Sequence, residues 1–395
     1  MNIAVLSNVN MDPFKINLKK INIIETYFCG YGQYLIDLSD KNSMIYSNSI
    51  GIIFIHLDGE EFLNEFNYTL PEEKKILEYS NEILSLIENY IQLRPDVKVI
   101  ISSLSFPPFS FINYLDSNSD FSYLKIENIL NDKIYKLVRN NSNVILLDFN
   151  RIIKLYGYNN LYDNKYWYLG RIKYNYLGFQ LIQEELESLL NAYNGKTKKV
   201  LILDLDNTIW GGVAGEDGVN GIKISEDGEG KIFRDFQKTV KAIKDIGIIL
   251  AICSKNNEND IKDVFNNDTM MVLKYDDFII KKINWKDKVT NILEISEELN
   301  LGVESFVFID DNPAERELVR ESIADIIVPE FPLEIENLKK WFLLEVVYKY
   351  FGKIRVTEED KNKTKQYKNN FERNNLQKKT DINNFIKNLN IRLTL

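Results

Sequence analysis

Histidine is almost missing from this chain, with one residue, His56, among 395. A zinc site built from several imidazoles is therefore excluded, and any triad that needs an imidazole would have to form around this single position. His56 ends the apolar run 52–55 and no sequence neighbour offers it a partner, so it reads as a strand-end residue. Cysteine is nearly as scarce. Cys29 and Cys253 lie far apart, which points to a reducing, cytoplasmic setting rather than a disulfide framework. No uninterrupted apolar stretch approaches the roughly 20 residues of a membrane span, so no membrane partner is expected. Polar Asn2, Asn8, Asn10 and Asp12 stand where a signal peptide would be basic and then apolar. A basic excess is missing too: the net charge is −9, which argues against a general nucleic-acid binder.

What is present is an ordinary globular composition, 45% hydrophobic and 27% charged, in a chain long enough for two or three domains. Apolar runs at 3–6, 52–55, 97–101 and 144–147 alternate with amphipathic stretches such as 72–92 and 176–190. That alternation predicts a parallel sheet with helices on both faces. The polar segment 194–199 interrupts it and marks a domain boundary. A second series follows at 200–203, 248–252 and 306–309, and these runs are followed by Asp204, Ser254 and Asp310. In a doubly wound sheet the carboxyl ends of the strands line one crevice, so these three residues should converge.

Asp204-Leu205-Asp206-Asn207-Thr208 places two carboxylates two residues apart on a turn after a buried strand. Carboxylates this close repel unless a cation lies between them, the environment that suits Mg²⁺. Asp204 can then attack phosphorus while Asp206 protonates the leaving oxygen and later activates water. These blocks resemble the four motifs of the haloacid-dehalogenase (HAD) superfamily. The resemblance makes Asp204 the nucleophile, Thr208 and Ser254 substrate contacts, Lys288 (preferred to Lys282 because it opens the helical run 289–299) the phosphate-neutralising lysine, and Asp310-Asp311 metal ligands beside Asp204 and Asp206. Only 46 positions separate Thr208 from Ser254 and 34 separate Ser254 from Lys288. Neither stretch can hold a cap domain of usual size, so an open site is expected.

A narrower resemblance rests on Thr208-Ile209-Trp210-Gly211-Gly212-Val213-Ala214-Gly215-Glu216-Asp217-Gly218, Ala251-Ile252-Cys253-Ser254-Lys255-Asn256, Asn284-Trp285-Lys286-Asp287-Lys288 and Asp310-Asp311-Asn312-Pro313-Ala314-Glu315-Arg316-Glu317. Over about residues 198–395 the chain is similar to the FkbH-like family of HAD subfamily IIIC. That likeness implies a Mg²⁺-dependent glyceryl transferase/phosphatase in polyketide biosynthesis. Such an enzyme takes the glyceryl group of 1,3-bisphosphoglycerate, loads it on the phosphopantetheine thiol of an acyl carrier protein and removes the phosphate. Several residues keep two readings. Trp210 with Gly211 and Gly212 is a lid on a flexible flap or a core aromatic; Lys255 binds a second phosphate or faces solvent; Cys253 holds a glyceryl thioester or is a buried strand residue. Arg316 is assigned no catalytic role.

Residues 1–195 resemble an SGNH-hydrolase-like domain, but the late histidine such an enzyme needs is missing, so the domain is expected to be non-catalytic. The expected architecture is α/β throughout. A second α/β domain of SGNH- or flavodoxin-like type (1–195) precedes a capless, HAD-type doubly wound parallel sheet (196–345), and a basic helical extension (346–395) follows. Nine basic against four acidic residues between 353 and 379 suggest docking of an acidic carrier protein. Competing readings are a phosphatase of a small phosphorylated metabolite and an inactive carrier-binding scaffold.

Overall fold

The computed structural model describes residues 2–23, 25–64, 73–110, 112–118, 122–267 and 269–355. Most of the basic stretch expected to dock a carrier protein lies outside these residues. The chain divides into two compact units, Met1–Leu189 and Leu190–Leu395. Among the described residues no helix is long and apolar enough to cross a membrane.

The first unit is built on five parallel strands: β1 (Asn2–Ser7), β2 (Thr26–Phe28), β3 (Ile50–His56), β4 (Lys98–Ser102) and β5 (Val144–Leu147), in the order β2-β1-β3-β4-β5. This is the flavodoxin-like order, with its crevice between β1 and β3. The helix Glu73–Leu93 turns Ile76, Ile83, Ile87 and Tyr90 inward at helical spacing, which buries one stripe against the sheet.

The second unit carries β6 (Val200–Leu203), β7 (Ile249–Ser254), β8 (Phe278–Ile283) and β9 (Phe306–Ile309), all parallel, in the order β8-β7-β6-β9. Every side chain of β6 is buried, as a central parallel strand covered on both faces requires. The chain leaves β6 toward β7 and β8, then returns to place β9 on its other side. The switch point of the sheet therefore lies between β6 and β9. Between β6 and β7 stand the helices Ala214–Gly221 and Gly228–Asp245, and between β7 and β8 the helix Glu258–Asn267. Among the described residues neither connection holds a domain-sized cap.

His56 finds the partners that its sequence neighbours do not supply. Its Nδ1 lies 2.9 Å from the Ser102 hydroxyl and its Nε2 2.7 Å from the Tyr174 hydroxyl, which donates onward to Asp58 at 3.1 Å. Nothing in this network reaches solvent, and burial lowers the imidazole pKa to about 3. The folded state thus takes up fewer protons than the unfolded chain between about pH 3 and the unperturbed value near 6.5, so stability falls as pH falls through that window. Because the chain has one histidine, its single imidazole NMR signal reports on this directly: it should stay in the neutral form from about pH 8 down to about pH 5. A midpoint near 6.5 would mean that the ring is exposed.

Candidate active site

Asp204 follows β6 at the switch point, and its backbone N–H donates to the Ile309 carbonyl of β9 at 2.9 Å. The turn after it is tightly pinned. Asn207 (φ 50°) and Gly212 (φ 94°) adopt left-handed backbone, and the Gly212 N–H donates to the Asn207 side chain at 2.8 Å. Gly211 exchanges two backbone hydrogen bonds with Lys223, and a Cβ at Gly211 would stand 2.8 Å from the Phe233 ring. Trp210 is fully buried and meets Phe265 edge-on. Of the two readings of this segment, the core aromatic on a fixed turn is the one the packing matches; no loose lid is formed.

Lys288 opens the helix Lys288–Leu299, whose N-cap Asp287 accepts the Thr290 N–H at 2.7 Å. That cap aims the ammonium group into the crevice, where it lies 3.1 Å from Asp204 Oδ1 and bonds Asp310 Oδ2. Lys282 is instead held outside the site by Glu294 and Glu298. Burial opposes the charge on Lys288, yet Asp204 and Asp310 hold its pKa above the ordinary lysine value. Burial acts on Asp204 in the other direction and pushes its pKa up to about 7 against the pull of Lys288. Asp311 is raised to about 6, again by burial first and then by the Asp310 charge. Arg316, from the helix Pro313–Ser322, donates to the Asp310 and Asp311 carbonyls at 2.9 and 2.7 Å and fixes the loop that carries both acids.

Asp204, Asp310 and Asp311 each offer a carboxylate oxygen, and these oxygens lie within 4.8 Å of one another. The Asp206 carboxylate is not part of this cluster, contrary to the expectation that it ligates metal. Its oxygens face the Trp210 indole N–H (2.9 Å), the Ala214 backbone N–H (3.0 Å) and the Asn256 side-chain amide (2.9 Å). Ser254 ends β7 beside the site, and its hydroxyl accepts from the Asn256 side-chain amide at 3.0 Å. Thr208 is fully buried in the turn after Asp204, and its hydroxyl has no hydrogen-bond partner among the described residues. Lys255 pairs with Glu315 at 2.5 Å and is about one-third exposed, between its two expected readings.

Of the two readings of Cys253, the packing matches the buried strand residue. Strand alternation turns it to the opposite face from Ser254, where it packs with Ala251, Ile280 and Ile292 and is fully buried. Burial raises its thiol pKa well above the usual value, so thiolate is scarce. Sequence reasoning missed Asn256 and Arg316: each sits inside a recognised block, but hydrogen bonds to residues distant in the chain, or to main-chain carbonyls, leave no pattern in spacing. In the native protein a thiol-alkylating reagent should therefore label Cys253 only through unfolding, at a rate that climbs with denaturant. Fast native labelling at Cys253, mapped by peptide mass, would restore an accessible thiol.

No family model matches this chain, and no curated protein matches it significantly. Among solved structures it is similar to an N-terminal part of the Bacteroides fragilis protein BF1531, which contains a phosphatase domain and is complexed with Mg. The two share 29% identity and a TM-score of 0.79, over 91% of this chain and 94% of that one. A HAD family enzyme from Bacteroides thetaiotaomicron, complexed with magnesium and inorganic phosphate, matches at 13% identity and a TM-score of 0.25 over 34% of this chain and 94% of that one, too low to carry weight. The crevice that gathers Asp204, Lys288, Asp310 and Asp311 thus stands in a parallel-sheet α/β domain, within a chain that is similar in fold to the BF1531 segment with its phosphatase domain.

Proposed function

We propose that this chain is a Mg²⁺-dependent phosphatase in which Asp204 is the nucleophile. The observation that carries this reading is the convergence of three carboxylates and one buried lysine at the sheet's switch point. Asp204, Asp310 and Asp311 form an all-oxygen donor set, which suits a hard divalent cation, and the BF1531 segment, similar in fold, is complexed with Mg. Bound there, Mg²⁺ would neutralise negative charge on the carboxylates and on a phosphate group. The protein groups do the rest. Asp204 attacks phosphorus, Lys288 and the Ser254 hydroxyl bind phosphate oxygens, and Asp206 gives a proton to the leaving oxygen. Water, deprotonated by Asp206, then releases phosphate from Asp204.

The finer proposal is glyceryl transfer from 1,3-bisphosphoglycerate to an acyl carrier protein, supported by the FkbH-like motif blocks and by the short connections around the crevice. The burial of Cys253 favours direct attack by the pantetheine thiol on the carbonyl of the acyl phosphate, forming the thioester and expelling inorganic phosphate; the remaining phosphate ester is then hydrolysed at Asp204. The first unit is proposed to be non-catalytic, since its histidine is buried in a closed network.

Asp204→Asn should abolish phosphate release with the fold intact, and full turnover by that variant would remove the central claim. Intact-mass measurement of a carrier protein incubated with enzyme, Mg²⁺ and 1,3-bisphosphoglycerate tests the finer claim: no mass increase, with hydrolysis of phosphate esters retained, leaves a plain phosphatase. Metal dependence has a pH signature. Burial raises the Asp204 and Asp311 pKa values, so the metal-free folded state binds protons more tightly than the unfolded chain. Its stability should fall as pH rises from about 4 through about 7. Mg²⁺ binds the ionised carboxylates, so it should raise the melting temperature more at about pH 8 than at about pH 5. Equal shifts at both pH values would contradict binding at these acids.

A further inference from the structure

Asp206 is gripped from three directions. Its Oδ1 accepts from the Trp210 indole at 2.9 Å and the Ala214 backbone at 3.0 Å, while its Oδ2 accepts from Asn256 Nδ2 at 2.9 Å. An ionised carboxylate offers about four acceptor sites, so these donors leave one vacant, on Oδ2. The oxygen free to carry a transferable proton is thus the one that Asn256 touches.

The same Asn256 nitrogen lies 3.0 Å from the Ser254 Oγ. An amide nitrogen has two protons, and here one goes to Asp206 and the other to Ser254. Asn256 is 5% exposed, so water cannot readily replace its amide. One side chain therefore touches both the acid/base group and the hydroxyl that faces phosphate.

We infer that Asn256 is a positioning residue that fixes Asp206 Oδ2 for proton transfer and holds the Ser254 hydroxyl with the same amide. This deepens the phosphatase reading and rests on it. In the step concerned, the phosphorus–oxygen bond of the ester breaks as the bond from phosphorus to Asp204 forms. The proton on Asp206 Oδ2 moves to the departing ester oxygen, and water hydrolysing the aspartyl phosphate later returns a proton to Asp206.

Leaving-group dependence separates positioning of an acid from simple structural support. An alkyl alkoxide needs that proton, whereas a nitrophenolate leaves nearly without it. With glycerol phosphate as the alkyl ester, Asn256→Ala should lose roughly 10–100-fold in the pre-steady-state rate of alcohol release, part of the 10²–10⁴ that acid/base catalysis supplies. That rate reports the acid step before the water step common to both esters. With 4-nitrophenyl phosphate the loss should stay within about threefold, and KM should shift little for either ester. Asn256→Asp keeps the shape but sets a carboxylate against Asp206, so it should be worse than alanine on the alkyl ester. Melting curves of both variants check that they fold, and Trp210→Phe, which removes one of two donors on Oδ1 and keeps the ring, should show the same selectivity in weaker form. Equal losses on both esters, no loss, or an aspartate variant better than alanine would each overturn the proposal. Asp206→Asn run in parallel keeps the two levels apart: if it shows no preference between esters, Asp206 is not the acid, and the phosphatase reading loses that step together with the role of Asn256.

Discussion

The Lys288 ammonium group, enclosed between Asp204 and Asp310, is the interaction on which the rest of the second unit depends. Three carboxylates drawn into a dry crevice repel one another, and the low dielectric that would make them reactive also makes their charge expensive. One lysine cannot neutralise three acids, and burial first, with the Asp310 charge after it, raises the pKa values of Asp204 and Asp311. Much of the neighbouring structure serves to hold this arrangement still. Asp287 caps the helix that starts with Lys288, Asn312 caps the next and accepts the Ala314 N–H, and Arg316 ties down the Asp310 and Asp311 carbonyls. A site that is short of positive charge in this way is built to receive a cation together with an anionic ligand.

The central strands and the acids at their ends were legible because a strand buried on both faces must be apolar throughout and must stop at a polar residue. The run at 200–203 coincides with the central β6, and the runs at 144–147 and 306–309 with the edge strands β5 and β9. The other two edges, β2 and β8, were not legible. β2 has only three residues, and β8 contains Lys281 and Lys282, because an edge strand leaves one side open to charged side chains. Lys288 could be preferred to Lys282 from its place at the start of a helix. The fates of Cys253 and Trp210 could not be read, because spacing does not reveal which face of a strand or turn meets the core.

His56 illustrates the same limit from the opposite side. Its partners stand 46 and 118 positions away in the chain, so a sequence neighbourhood could offer it none. A buried neutral imidazole with both nitrogens engaged helps to specify a core rather than to move protons. The first unit keeps the crevice expected of its strand order and fills the adjoining strand end with a closed network.

The position of β9 has a consequence for how the second unit is made. During synthesis, β6, β7 and β8 leave the ribosome first, and more than a hundred residues separate Asp204 from Asp310 opposite it. Until β9 arrives, β6 has one side without a partner: a row of free backbone donors and acceptors on a wholly apolar strand, the kind of edge that recruits a second chain. The contacts that close this edge are among the most distant in sequence in the unit, which makes their formation slow. The catalytic crevice and the seal against aggregation are therefore completed by the same late event, the docking of four residues, Phe306–Ile309, beside β6.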